Sequence, residues 1–286
     1  MKNNKNSLGD RMKENYEKRY NFKLLRRTPV IIRLDGRAFH SFTKGFNTPF
    51  DVVLSRAMDL TMKQLCENIQ GCVFGYTQSD EITLVLCDYK RFNSCAWFDN
   101  EVQKICSVSA SMATAYFGRN FSDEALRFYQ SLYMNACQED FPSLKSEYNI
   151  DSYDKAVGIY EKYSNNFKNP AMFDARCFNV PREEVTNTII WRQWDAIRNS
   201  IEMVGRCYFS HKEMENKNTF DIQNMLMEQH NVNWNDFPVR YKRGCACHKK
   251  ISDGDNKESS WILDYDMPII THNMDYVEKW IQQEEE

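Results

Sequence analysis

Short apolar runs separated by turn residues divide the first half of the chain. Val30-Ile31-Ile32-Arg33-Leu34 reads as a strand leading into Asp35-Gly36-Arg37, and Cys72-Val73-Phe74-Gly75-Tyr76 as a strand leading towards Ser79-Asp80-Glu81. Ile82-Thr83-Leu84-Val85-Leu86 is a third strand, leading away from those acids. Between the first two, Leu54, Met58, Met62, Leu65 and Ile69 recur at helical spacing, and Gly71 provides a stop. Another helix is predicted from about Asn100 to Gly118, with Val102, Cys106, Met112, Ala113 and Tyr116 on one face. Residues 174–180 then read as a strand ended by Pro181, and Glu183 and Glu184 suit the first turn of a helix running to about Cys207.

Strand, helix, hairpin, helix, strand is an α+β order. It predicts an antiparallel, ferredoxin-like sheet of the polymerase-palm kind, with helices packed on one side. In that topology the turn holding Asp80 lies beside the strand end holding Asp35. Further on, a helix is expected from Lys217 to Gln229, and strands over 240–247 and 260–265 form a C-terminal α/β extension. The loop from Lys249 to Ser259 contains Asp253-Gly254-Asp255; it reads as a hairpin connection, since no bidentate ligand falls at EF-hand spacing. Residues 1–140 make a palm-like catalytic region, with 141–286 packed on it and contributing to RNA binding and assembly, or the two form one continuous domain.

Composition fits a globular protein: 286 residues, 42% hydrophobic and 14% aromatic. No apolar run follows Met1-Lys2-Asn3-Asn4-Lys5 and no stretch approaches a membrane span, so a soluble cytoplasmic protein with no membrane partner is expected. Ten cysteines without a CxxC pair read as reduced, buried thiols, and Cys245-Ala246-Cys247-His248 lacks the second cluster a zinc site needs. A net charge of -3 does not advertise a nucleic-acid binder, but local clusters decide phosphate contacts. They are Lys18-Arg19 through Arg26-Arg27, the series Arg192, Arg198, Arg206 and Lys212, and Arg240-Tyr241-Lys242-Arg243. Glu284-Glu285-Glu286 reads as a solvated tail.

Two carboxylates at strand ends suit Mg²⁺, which is bound by one or two acids and completed by substrate phosphates. Asp-Gly alone is a common turn dipeptide, so the surrounding residues carry the assignment. Residues 33–42 (Arg-Leu-Asp-Gly-Arg-Ala-Phe-His-Ser-Phe) and 75–81 (Gly-Tyr-Thr-Gln-Ser-Asp-Glu) resemble the tRNA-His guanylyltransferase family. So do Phe173-Asp174-Ala175-Arg176, Trp191-Arg192-Gln193, Asn233-Trp234-Asn235-Asp236 and Tyr241-Lys242-Arg243-Gly244, in the same order along the chain.

The resemblance implies a palm-like catalytic domain, a homotetramer, and nucleotide addition to tRNA in the 3′-to-5′ direction with ATP, GTP or other nucleoside triphosphates as substrates. Asp35, the backbone carbonyl of Gly36 and Asp80 match the family's positions for two Mg²⁺ ions, with Asp35 and Asp80 as the catalytic acids. Asp35, Gly36, Arg37, Ala38, Phe39, His40, Ser79, Asp80 and Lys104 match its nucleotide-binding positions. Glu81 organises the metal site or is a polar hairpin residue. Arg192, Arg198, Asn199, Lys212, Lys242 and Arg243 are the RNA-binding candidates.

One stretch departs from the pattern. Where the family's histidine-tRNA enzymes carry Asp-Cys-His-Ile-Asn-Asn-Leu-Tyr-Asn, residues 195–203 replace the histidine by Ile197 and an asparagine by Ser200. Isoleucine cannot make an imidazole's hydrogen bonds. Thr48 and Glu101 also stand where basic residues are common in the eukaryotic enzymes. The stretch is similar to that of the guanylyltransferase-like proteins, which repair or edit 5′-truncated tRNAs against the opposite strand. The alternatives are a tRNA-His-specific guanylyltransferase, a palm-related nucleotide cyclase and an inactive RNA-binding module.

Overall fold

The computed structural model describes residues 7–136, 142–250 and 260–283. In chain order the principal elements are α1 (Leu8–Asn15), β1 (Val30–Gly36), α2 (Phe39–Phe42), α3 (Val52–Asn68), β2 (Cys72–Gln78), β3 (Glu81–Leu86), α4 (Val102–Asn135), α5 (Pro142–Tyr148), α6 (Tyr153–Asn166) and β4 (Phe173–Asn179). There follow α7 (Arg182–Tyr208), α8 (His211–Met214), α9 (Thr219–His230), α10 (Val239–Arg243), β5 (Cys245–Lys249), β6 (Trp261–Asp264) and α11 (Asp275–Ile281).

The strands form one antiparallel sheet in the order β4-β1-β3-β2-β5-β6. Its first four strands follow the ferredoxin-like order that the strand, helix, hairpin, helix, strand pattern predicts, and the β5-β6 hairpin widens it beside β2. Strands from both halves of the chain therefore share one sheet.

Helices cover both faces, not the single face predicted. Ile32, Leu34, Ile82 and Leu84 pack with α3, α4 and α6 through residues such as Met58, Met62, Phe117 and Tyr163. On the opposite face, Ile31, Val85, Phe74 and Tyr76 pack with Val185 and Ile189 of α7 and Val277 and Trp280 of α11. The sequence signal for this was present: β1 and β3 are nearly continuous apolar runs, which is how strands buried on both faces read.

Two boundaries also differ. The helix expected to end near Gly118 continues to Asn135, because a lone helical glycine costs only about 1 kcal/mol while the buried face runs on through Phe121, Ala125, Phe128 and Leu132. The strand predicted from Arg240 begins only at Cys245; residues 239–243 are a single helical turn, entered at Pro238 and left through Gly244 at φ 86°. The Lys249–Ser259 loop with its Asp253-Gly254-Asp255, the acidic end at 284–286 and the first residues of the chain lie largely or wholly outside the described residues. Among the described residues, no helix is long and apolar enough to cross a membrane.

Candidate active site

Asp35 stands one residue before the end of β1, and its neighbours across the sheet are Glu81 of β3 and Asp174 of β4. The two-residue turn Ser79-Asp80 joins β2 to β3, with Ser79 in the left-handed region at φ 49°. One bond fixes that turn against β1, the Gly36 N–H donating to the Asp80 carbonyl at 3.1 Å, and another closes the hairpin itself, Thr77 Oγ1 donating to the Glu81 carbonyl at 2.8 Å. The topology thus brings the two predicted acids to one place. Burial pushes the Asp80 carboxyl above its ordinary range, and the charge of Asp35 adds to the shift.

Gly36 is required by its own neighbour. A Cβ there would lie 2.3 Å from the ring of Phe39, which packs against Phe42, Phe117 and Phe173 at centroid distances of 5.2, 5.5 and 5.3 Å. Ala38, at φ 55°, turns the chain into α2 so that this ring can anchor the loop in the core. The N–H groups of Gly36 and Arg37 are engaged within the fold, the latter with the Met172 carbonyl at 2.8 Å.

A cavity of about 620 Å³ opens over the acids. Asp35, Gly36, Ala38, Phe39, His40, Ser79 and Asp80 all line it. So do residues outside the predicted nucleotide-binding positions: Asn47 and Asp51, Ser200 and Met203 of α7, and Arg240 and Tyr241 from the basic cluster read as a phosphate contact. Asn47 donates from Nδ2 to the Tyr148 carbonyl at 3.1 Å, and its buried Oδ1 has no partner. Asp51 caps α3 by accepting from the Leu54 N–H at 2.9 Å and also accepts from the Tyr163 hydroxyl at 2.7 Å. Arg240 is clamped by the buried Asp59, Nε to Oδ1 at 2.8 Å; burial is the strongest single influence and works to lower its pKa, but the charge and hydrogen bond of Asp59 together with the neighbouring Cys245 and Tyr241 outweigh it and hold the guanidinium charged.

Several predicted contacts are placed elsewhere. Arg192, read as an RNA contact, is buried: it grips both oxygens of Glu81 at 2.5 and 2.8 Å and reaches Asp195 at 2.9 Å. Burial pushes the Glu81 carboxyl up, and Arg192 opposes the shift. Lys242, another RNA candidate, is buried with its Nζ donating to the Asn235 carbonyl and lying over the Trp234 ring. Neither side chain is available to a phosphate. Lys104 is exposed but stands near the start of α4, paired with Glu101 at 3.4 Å, and is not part of the cavity wall. It lies near Cys106, whose sulfur is 3.6 Å from that of Cys177, and Cys177 is the cross-strand partner of Ile32, three residues before Asp35. Arg37 is exposed, and the cavity wall passes from Gly36 to Ala38 without it. Arg198 and Lys212 are exposed, Asn199 and Arg243 half-buried; Arg198 and Asn199 both bond Asp195, and Asn199 also lines the cavity.

The departing stretch has a packing explanation. Ile197 is half-buried against the apolar cluster of Val204, Ile222, Leu226 and Trp234, where an imidazole would lose its water. Ser200 accepts from the Trp234 indole N–H at 2.9 Å, joining α7 to the Asn233–Asp236 turn behind the cavity.

The donor set fits magnesium better than a softer metal. Two carboxylates and a carbonyl beside an open cavity leave room for phosphate oxygens, as Mg²⁺ needs. Among the described residues no group of three or more His, Cys, Asp or Glu could form a closed metal cage.

The family model described as Thg1, tRNAHis guanylyltransferase, matches residues 9–181. A solved bacterial tRNA(His) guanylyltransferase (Thg1)-like protein in complex with ATP superposes at TM-score 0.76 with 39% identity, over 97% of this chain and 100% of that one. One in complex with GTP superposes at TM-score 0.66 with 35% identity, over 95% of this chain and 97% of that one. A probable tRNA(His) guanylyltransferase of Dictyostelium discoideum is 26% identical over 264 residues, covering 87% of this chain and 86% of its own.

Proposed function

The chain belongs to the tRNAHis guanylyltransferase family of nucleotidyltransferases, which add nucleotides to tRNA 5′ ends, and from that premise we propose that it is a template-dependent 3′-to-5′ polymerase that repairs or edits such ends. The observation that carries the finer reading is the packing of α7 beside the cavity. The α7 stretch that carries His and Asn in histidine-tRNA enzymes has Ile197 in an apolar cluster and Ser200 bonded to Trp234.

In the proposed reaction the 5′-phosphate of the RNA attacks the α-phosphorus of ATP and releases pyrophosphate, or a 5′-triphosphate is used directly. The 3′-hydroxyl of the incoming nucleotide then attacks the RNA's 5′ phosphorus, displacing AMP or pyrophosphate. Asp35, the Gly36 carbonyl and Asp80 would hold two Mg²⁺ ions, which supply charge neutralisation and polarisation of the attacked phosphorus when bound. Ala38 to His40 and Ser79 line the cavity beside these acids and would orient the nucleotide. Pairing with the opposite strand chooses the base, so the protein reads RNA shape and phosphates. Arg198, Asn199, Lys212 and Arg243 are the remaining candidates for that contact, within a C-terminal half contributing to RNA binding and to a homotetramer.

A second reading, tRNA-His-specific guanylyltransferase, is equally consistent with the relatives bearing that name. Incubating a tRNA that lacks its first nucleotide, and separately a histidine tRNA that lacks its extra 5′ guanosine, with each nucleotide separates the two. Extension of the truncated tRNA supports repair. Addition only to the histidine tRNA supports the second reading, and extension of neither refutes both.

A further inference from the structure

A second cavity of about 1020 Å³ adjoins the catalytic one, and the two share Pro49, Phe50, Ser55, Arg240 and Tyr241. The partition is a stack: the Phe50 and Tyr241 rings lie 4.6 Å apart and only 10° from parallel. Behind it, Phe237 meets Phe50 edge-on at 5.5 Å, and the exposed Tyr265 forms part of the outer wall.

The charge in this second cavity selects its ligand. Arg56 pairs with Glu147 at 2.7 Å and Arg240 with Asp59 at 2.8 Å. With those charges matched, Asp236 and Asp266 remain, so the described lining is net negative. A phosphate entering it would meet a lining with more carboxylates than cations. A neutral aromatic group bearing amine donors would instead find ring faces and oxygen acceptors. A cavity of this size holds a nucleoside comfortably. The chemistry is that of a purine nucleoside whose phosphate stays outside.

We propose that this cavity seats the adenosine of an adenylylated RNA 5′ end. The inference rests on the proposed function. In its ATP-dependent route an oxygen of the RNA 5′-phosphate bonds to the α-phosphorus of ATP while the bond to pyrophosphate breaks, leaving AMP joined to the RNA through a phosphoanhydride. The 3′-hydroxyl of the next nucleotide then loses its proton and bonds to the RNA's phosphorus, and AMP leaves with the electron pair of the broken bond. Between the two steps an adenylate and an incoming triphosphate must be held together. A neighbouring cavity, one side chain away, lets the adenylate phosphate stay near Asp35 and Asp80 while its base and ribose clear the first cavity. The same nucleoside chemistry could come from an unpaired base at the RNA 3′ end, and the test separates the two sources.

Tyr265→Ala and Ser146→Trp alter walls of the second cavity that the first does not share, and Tyr265→Phe keeps the ring. Each is assayed on one truncated tRNA in two forms, 5′-monophosphate with ATP and 5′-triphosphate without it, after a thermal melt establishes folding. The expected result is a loss of about 10- to 100-fold on the monophosphate route for the first two variants, the worth of one stacked base, with adenylylated RNA failing to pass to product. The triphosphate route should be unchanged, and Tyr265→Phe should behave as the parent. Equal rates for all variants on both routes overturn the inference while leaving the proposed function standing. Loss on both routes that disappears when the unpaired 3′ nucleotides are removed assigns the cavity to an RNA base and overturns it too. If the parent extends neither RNA, the proposed function fails and takes this inference with it.

Discussion

Arg192 of α7 and Glu81 of β3, 111 residues apart, form a bidentate buried ion pair at 2.5 and 2.8 Å, next in sequence to Asp80. Arg192 also holds Asp195, which bonds Asn199 at 3.3 Å, so one guanidinium links the hairpin to the α7 wall of the cavity.

Removing either partner breaks the bidentate pair and leaves a buried charge under-compensated, Arg192 with Asp195 alone and Glu81 with Arg33 at 4.0 Å. Glu81→Gln and Arg192→Met should each cost up to about 3–5 kcal/mol, and the double variant less than their sum, because the under-compensated charge of each single variant is then gone. Urea unfolding of the four proteins in the cycle measures this. Additive losses would mean that the two side chains are not coupled.

Gly36→Ala should cost about 1–3 kcal/mol by overpacking, since the new Cβ would stand 2.3 Å from the Phe39 ring. Nucleotide addition should fall by about 100-fold, because displacing that ring shifts the loop beside both acids. Phe39→Leu in the same chain should restore part of the activity. Full activity in Gly36→Ala, assayed by 5′-end extension, would contradict the packing argument.

Asp51 supplies a pH test away from the two acids. Burial raises its carboxyl in the folded protein, outweighing the bonds it accepts from Leu54, Tyr163 and Asn47. A raised folded pKa means that the folded state binds the proton more tightly than the unfolded chain. Its contribution is therefore complete below the unfolded carboxylate pKa of about 3.9 and is lost as pH rises through the folded value. The stability difference between the parent and Asp51→Asn, followed by urea unfolding from acid towards neutrality, should move against the parent as pH rises. A difference that grows in its favour would show that the carboxylate is stabilised in the fold.

Ser200→Ala removes the acceptor of the buried Trp234 indole N–H at 2.9 Å. An unsatisfied buried donor should cost about 1–3 kcal/mol in a denaturant titration. No measurable loss would mean that the indole finds another partner.

The local parts of this account were legible in the chain. The strand-turn segments around Asp35 and Asp80 are contiguous, and the period of Leu54, Met58, Met62 and Leu65 names the helix that packs beneath them. What was not legible depends on distant encounters. Arg192 reads as a free cation until β3 supplies Glu81, and Lys242 reads the same way until the Trp234 turn folds over it. Arg240 and Tyr241 continue an apparent strand in the sequence, but Pro238 and the positive φ of Gly244 confine them to a helical turn at the back of the cavity. Asp51 carried a weak signal, a capping residue just ahead of a periodic apolar run.

The most direct test of the central claim is the identity of the nucleotide added to a tRNA lacking its first residue, with the opposite base varied through all four choices. The account predicts that the added nucleotide follows the complement of that base, requires Mg²⁺, and disappears in Asp35→Ala and Asp80→Ala proteins that remain folded. Guanosine added whatever base stands opposite, or addition that survives the loss of either acid, would contradict it.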